Sequence, residues 1–237
     1  MAGPGIAGTA GATIRAIRHS GFVRISHWLI ALSVFGLIES GIGILISHPR
    51  LYWGETGGLG GPSLIDLPLP FVLGPSVWNR PYHFLFAWPF VLTWLAYVAV
   101  GTISRHFRND LTPSKEEFRW SRVVQVAVAH LRGRLTPEDA EGRYNVVQRL
   151  VYLTVIFVLF PAVTLTGLGM SFGVTSVFPI LATAVGGHQS ARTLHFIFAF
   201  LILMFVILHI AMLFVAGFVS RTRAMITGYL PEGRSGG

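Results

Sequence analysis

The stretch TLHFIFAFLILMFVILHIAMLFVAGFV (193–219) constrains this chain more than any other. A helix needs ~20 apolar residues at 1.5 Å rise to cross the hydrocarbon core, and this run is long enough. His195 and His209 interrupt it. Their spacing puts them ~21 Å apart along a helix and within ~40° of the same face. One helix therefore presents two imidazoles in one direction, one near each membrane surface. Imidazole in lipid is costly and usually functional. Each histidine is expected to meet a second ligand from another helix.

Composition narrows the class. The chain of 237 residues is 52% hydrophobic and only 12% charged, with a mean hydropathy of +0.62. An integral membrane protein is expected, with lipid as its surroundings. It has no cysteine, which excludes cysteine-bound iron–sulfur clusters, disulfides, thiol nucleophiles and covalently attached c-type haem. The net charge of +8 does not point to nucleic acid, because the basic residues lie between apolar stretches, where they set topology.

Four spans are expected, at about 22–46, 82–103, 149–170 and 193–219. Pro89 should kink the second. Residues 48–80 form a Gly- and Pro-rich loop, and 104–148 are polar and basic, with a short helix near Arg122–Arg132. Flexible tails are expected at 1–14 and 224–237, flanking a single domain over 15–223. Arg15, Arg18 and Arg24 precede the first span, nine Lys and Arg fall between Arg105 and Arg149, and Arg221, Arg223 and Arg234 follow the last. Of 18 basic residues only Arg50, Arg80 and Arg192 are left for the other side. The positive-inside rule then places both termini and the central loop in the cytoplasm. The expected fold is an all-α integral membrane protein, a four-transmembrane-helix bundle with N-in/C-in topology.

Sidedness makes depth readable. His27 begins the first span at the cytoplasmic level of His209, and His83 begins the second at the outer level of His195. The pairs His27–His209 and His83–His195 follow from topology. Two bis-histidine sites stacked across a membrane point to two haems, since imidazole is a standard axial ligand and no thiolate exists. Gly41, on the helical face of His27 but at the outer level, leaves room for a macrocycle. Arg24, one turn before His27, can pair with a haem propionate or snorkel to lipid phosphate, and Arg192 can do the same outside. Glu39, within the first span, is expected to be a buried carboxylate with a function or a partner. His19, His48, His106, His130 and His188 are most simply surface histidines.

RISHW (24–28), Ser40–Gly41, His83 at the head of the second span and His195-x13-His209 together resemble the bacterial di-haem cytochrome b561 superfamily. Within it, the chain is similar to the cytochrome b subunits of membrane-bound [NiFe] hydrogenases, formate dehydrogenases and thiosulfate reductases. The resemblance implies two b haems and the same ligand pairs. It also implies electron transfer in the bacterial inner membrane between an outer-face (periplasmic) redox subunit, such as a molybdenum enzyme or hydrogenase, and quinone near the inner haem. YNVVQR (144–149) resembles the quinone-lining segment of formate dehydrogenase cytochromes, which puts Asn145 and Gln148 at the quinone. The plainer alternative makes Asn145 a helix cap and leaves Gln148 in water. HPRLYWGE (48–55) reads either as an aromatic belt or, through Arg50 and Glu55, as a docking surface. The chain is thus expected to be an electron-transfer subunit rather than a complete enzyme. The alternative is a stand-alone superoxide:quinone-type cytochrome b oxidoreductase.

Overall fold

The computed structural model describes residues 20–55, 61–68, 77–114, 117–132, 134 and 144–229. Four helices are long and apolar enough to cross a membrane: Gly21–Ser47, Asn79–Ile103, Val146–Gly169 and His188–Val215. The expected tail at 1–14 lies outside the described residues.

The first span, α1 (Gly21–Ser47), begins where the Ser20 hydroxyl accepts the Val23 N–H at 3.3 Å. Ser26, Ser33, Ser40 and Ser47 recur at every seventh position. Each hydroxyl donates to the carbonyl four residues back, at 2.8, 2.8, 2.6 and 3.0 Å. Their polar atoms are thus satisfied within the helix. With Gly36 and Gly43 they make a small-residue stripe that α2 (Asn79–Ile103) approaches closely. A Cβ at Gly36 would strike the Phe86 ring, and one at Gly43 the Asn79 amide. Pro89 lies inside α2.

Between these spans, β1 (Arg50–Leu51) pairs antiparallel with β2 (Ile65–Asp66), setting Arg50 opposite Asp66. After α2, a π-turn covers Phe107–Leu111, and α3 runs Trp120–Leu131 close to the expected short helix. The third span is α4 (Val146–Thr154), a second π-turn (Val155–Leu159) and α5 (Phe160–Gly169). Pro161 has no N–H to give and crowds the preceding turn, which accounts for the widened backbone before it. The Trp94 indole N–H donates to the Ile156 carbonyl there at 3.0 Å.

Two single-turn helices, α6 (Phe172–Thr175) and α7 (Ile180–Thr183), lead to α8 (His188–Val215), which packs on α5. The last span ends at Val215, short of the expected 219. Gly217 (φ +96) takes the left-handed conformation that stops a helix. The chain then turns into α9 (Phe218–Thr227), so residues expected to start a flexible tail at 224 are helical instead, and Ala224 is 1% exposed. Residues 230–237 lie outside the described part. At mid-depth Val34, Phe90, Val155, Phe160 and Ile202 form one core, with Phe90 and Phe160 edge-to-face at 4.8 Å. A second cluster, Phe107, Leu111 and Ile156, lies at the inner end of the bundle.

Candidate functional site

The packing brings the four histidines together in the two depth-matched pairs. Ring centroids are 6.4 Å apart for His27–His209 and 6.1 Å for His83–His195. Two imidazole–metal bonds of ~2.0–2.1 Å plus the two ring half-widths come to about 6 Å, so each pair can share one metal atom.

The outer pair is braced. The Ser40 hydroxyl has one proton and gives it to the Gly36 carbonyl at 2.6 Å, so its oxygen accepts Nδ1–H of His83 at 3.0 Å. His195 Nδ1–H donates to the Val163 carbonyl at 2.9 Å, with Thr166 Oγ1 at 3.3 Å. In both rings Nδ1 is committed as a donor and Nε2 is left for a metal, the arrangement in which an outer-shell partner sets tautomer and orientation. Gly41 stands as expected beside this pair. A Cβ there would lie 3.7 Å from His83 Cε1, and one at Gly167 would lie 3.2 Å from His195 Cε1.

The segment 48–55 is fastened to the first turns of α8. The Gly54 carbonyl accepts the Gln189 N–H at 3.0 Å, and Thr193 Oγ1 donates to the Tyr52 carbonyl at 2.6 Å. Arg192 donates to the His48 carbonyl at 2.7 Å rather than standing free. His188 is not a surface histidine: its ring bonds Glu55 through Nδ1, approaches Thr175 Oγ1 at 3.1 Å through Nε2, and stacks on Phe172. Those hydrogen bonds hold the Glu55 carboxyl below the usual carboxylate range. Arg50 is spent on Asp66 at 3.3 Å. Both charges expected to form a docking surface are therefore engaged within the chain.

The inner pair is held differently. His209 stacks on Phe205 at 5.5 Å and meets Tyr152 edge-on at 6.2 Å, and Trp28 lies edge-on to His27 at 5.3 Å. α9 closes this end, because Arg24 Nη1 donates to the Ile226 carbonyl at 2.7 Å and the Trp28 indole to Met225 at 3.3 Å. Yet Arg24 Nε and His27 Nδ1 are buried with no hydrogen-bond partner, as are Thr164 Oγ1 and Gln189 Oε1 elsewhere.

Asn145 and Gln148 form a capping box at the start of α4. Asn145 Oδ1 accepts the Gln148 N–H at 3.0 Å, and Gln148 Oε1 the Asn145 N–H at 3.3 Å. Asn145 is 1% exposed, so its structural task is plain. Glu39 is exposed on α1, ~120° around the helix from His27, and not buried as expected. His106, expected in solvent, bonds Tyr97 and Asp110. Its i,i+4 spacing to Asp110 was a usable signal; its contact with Tyr97 depends on a turn no local pattern announces.

The fold and the two pairs define a class: a multi-pass membrane protein whose helices carry facing histidines at two depths. The family model for prokaryotic cytochrome b561 matches residues 18–228, and the chain belongs to that family. It is 29% identical over 214 residues to a putative protein-methionine-sulfoxide reductase subunit, YedZ1, of Azospira oryzae, covering 89% of this chain and 96% of that protein. No solved structure matches it. The chain is thus a membrane b-type cytochrome, a protein of electron transport.

The residues fit haem. Among the described residues no three His, Cys, Asp or Glu gather into a metal-ion site. A metal held by only two side chains must bring its other ligands, as porphyrin iron does. At Gly41 and Gly167 the missing side chains let the outer ligand rings lie close against the helices, and the orphaned Arg24 guanidinium N–H suits an anionic propionate.

Proposed function

We propose that this protein carries electrons from quinol at the cytoplasmic side to a redox enzyme at the outer face through two b haems. His27 and His209 hold the inner haem and His83 and His195 the outer one. Two facing pairs at 6.4 and 6.1 Å on opposite sides of the bilayer are the observation that supports this best. Bound haem supplies a one-electron change; the protein supplies ligation, spacing and a low dielectric. The outward direction rests on the relative, whose name makes it a subunit of a reductase, an enzyme that consumes electrons. The partner would be such a reductase subunit.

Our reading puts quinol at the inner pair because the unpartnered Arg24 Nε and His27 Nδ1 are buried there, and the half-buried Gln148 lies one turn before Tyr152, which meets His209. Gln148 has amide donors suited to a quinone oxygen, whereas Asn145 contributes by fixing the start of α4. A quinol analogue such as duroquinol, added to the purified oxidised protein, should produce the reduced b-haem spectrum, and Gln148→Leu should slow that reduction several-fold. A protein reduced by dithionite but by no quinol would overturn the quinol assignment.

A further inference from the structure

Three side chains at the inner end of α2 form a line that electron carriage alone does not require. Asp110 Oδ2 lies 2.6 Å from His106 Nδ1, and His106 Nε2 lies 3.2 Å from the Tyr97 hydroxyl. A carboxylate only accepts, so Nδ1 carries the shared proton and Nε2 is left to accept the Tyr97 O–H, the logic by which a carboxylate sets a catalytic imidazole. Side-chain exposure falls from 59% at Asp110 to 24% at His106, and Tyr97 is half-buried. The line therefore runs from water into the protein.

The backbone is bent to make it. Arg105, at φ 58, is the one non-glycine with positive φ among the described residues. Such strain persists where surrounding structure imposes it and often accompanies function. The turn folds His106 back so that its ring meets Tyr97 at 6.1 Å. Tyr97, Tyr144 and Tyr152 then pack on the same cluster of Phe107, Leu111 and Ile156. There the two π-turns touch, with Phe107 and Phe157 5.0 Å apart. Tyr152 also meets His209 at 6.2 Å, so the cluster on which Tyr97 packs reaches the inner pair.

We propose that Tyr97, backed by His106 and Asp110, takes the protons of quinol oxidised beside the inner pair and passes them to cytoplasmic water. This rests on the quinol assignment above. As a quinol O–H bond breaks, an O–H bond forms on Tyr97, and the proton Tyr97 already held moves to His106 Nε2. The Asp110 carboxylate holds the resulting imidazolium, which releases its proton to water at the exposed end. With the His106 ring returned to its Nδ1–H form each time, two such transfers turn quinol into quinone, and a haem held by His27 and His209 would take the two electrons singly.

Stopped-flow reduction of the full-length purified protein by duroquinol tests this, with dithionite reduction as the control. Positioned proton transfer contributes ~10²–10⁴-fold, so Tyr97→Phe should slow quinol-driven reduction about 10²-fold with haem spectra and dithionite reduction unchanged. Asp110→Asn, at an exposed position, should slow it a few-fold and keeps the test readable if Tyr97→Phe loses haem. Imidazole added to His106→Ala should restore the rate, whereas pyrazole, similar in shape but far less basic, should not. Equal rescue by both would mean packing and overturn the proton role. Wild-type quinol rates in Tyr97→Phe and Asp110→Asn would overturn the relay and leave the quinol assignment standing. A wild-type protein that no quinol reduces would overturn both.

Discussion

The outer and inner histidine pairs have nearly the same ring separation and opposite surroundings. At the outer pair both Nδ1 atoms are bonded, by Ser40 and by Val163, and the 48–55 segment ties the start of α8 in place. At the inner pair His27 Nδ1 and Arg24 Nε are buried and unpartnered, and rings of Trp28, Phe205 and Tyr152 do the holding. A ligand set held by hydrogen bonds is fixed before a metal arrives. A site with unmet donors gains its last interactions from whatever binds it. On the proposed function, the braced outer pair would suit rigid conduction and the inner pair exchange with a mobile redox partner.

That contrast can be broken at Ser40. Loss of an outer-shell partner typically costs ~10–100-fold in metal affinity, so Ser40→Ala should release the outer haem that much faster while the inner haem is retained. Ser33→Ala is the control, since Ser33 donates to the Leu29 carbonyl in the same stripe and touches no histidine. Equal loss from both variants would reduce Ser40 to helix packing.

A smaller effect is expected at Glu55. Its carboxyl is held down first by the His188 side-chain hydrogen bond, then by the His188 backbone N–H. A carboxyl lowered on folding contributes stability that is present above the ordinary carboxylate range and is lost as pH falls through its folded value. Thermal melts should therefore weaken on acidification below about pH 5, and Glu55→Gln should flatten that slope. An unchanged slope would detach the 48–55 segment from the bracing of α8.

Much of this was legible in the sequence, because a bilayer imposes length and apolarity on each span and charge sets its side. Those two facts alone give His27 the depth of His209 and His83 that of His195. What was not legible depends on rotation and register between helices. The serines at 26, 33, 40 and 47 show a stripe, but only the packing of α2 shows that Ser40 reaches His83. Glu39 was expected to be buried because it lies within an apolar span, yet it is exposed, ~120° around α1 from His27. His106 and His188 looked like surface residues because their partners, Tyr97 and Glu55, come from other turns or other segments. Asn145 shows how one polar residue can match two patterns; its geometry satisfies the helix cap.

Haem content resolved by pair tests the central claim most directly. Pyridine haemochrome assay of the wild-type protein should give two non-covalent b haems per chain. His27→Ala and His209→Ala should each leave one haem with the same spectrum, and His83→Ala and His195→Ala should each leave the other. A wild-type stoichiometry of one, or a shared loss on replacing His27 and His83, would contradict the paired, depth-separated arrangement.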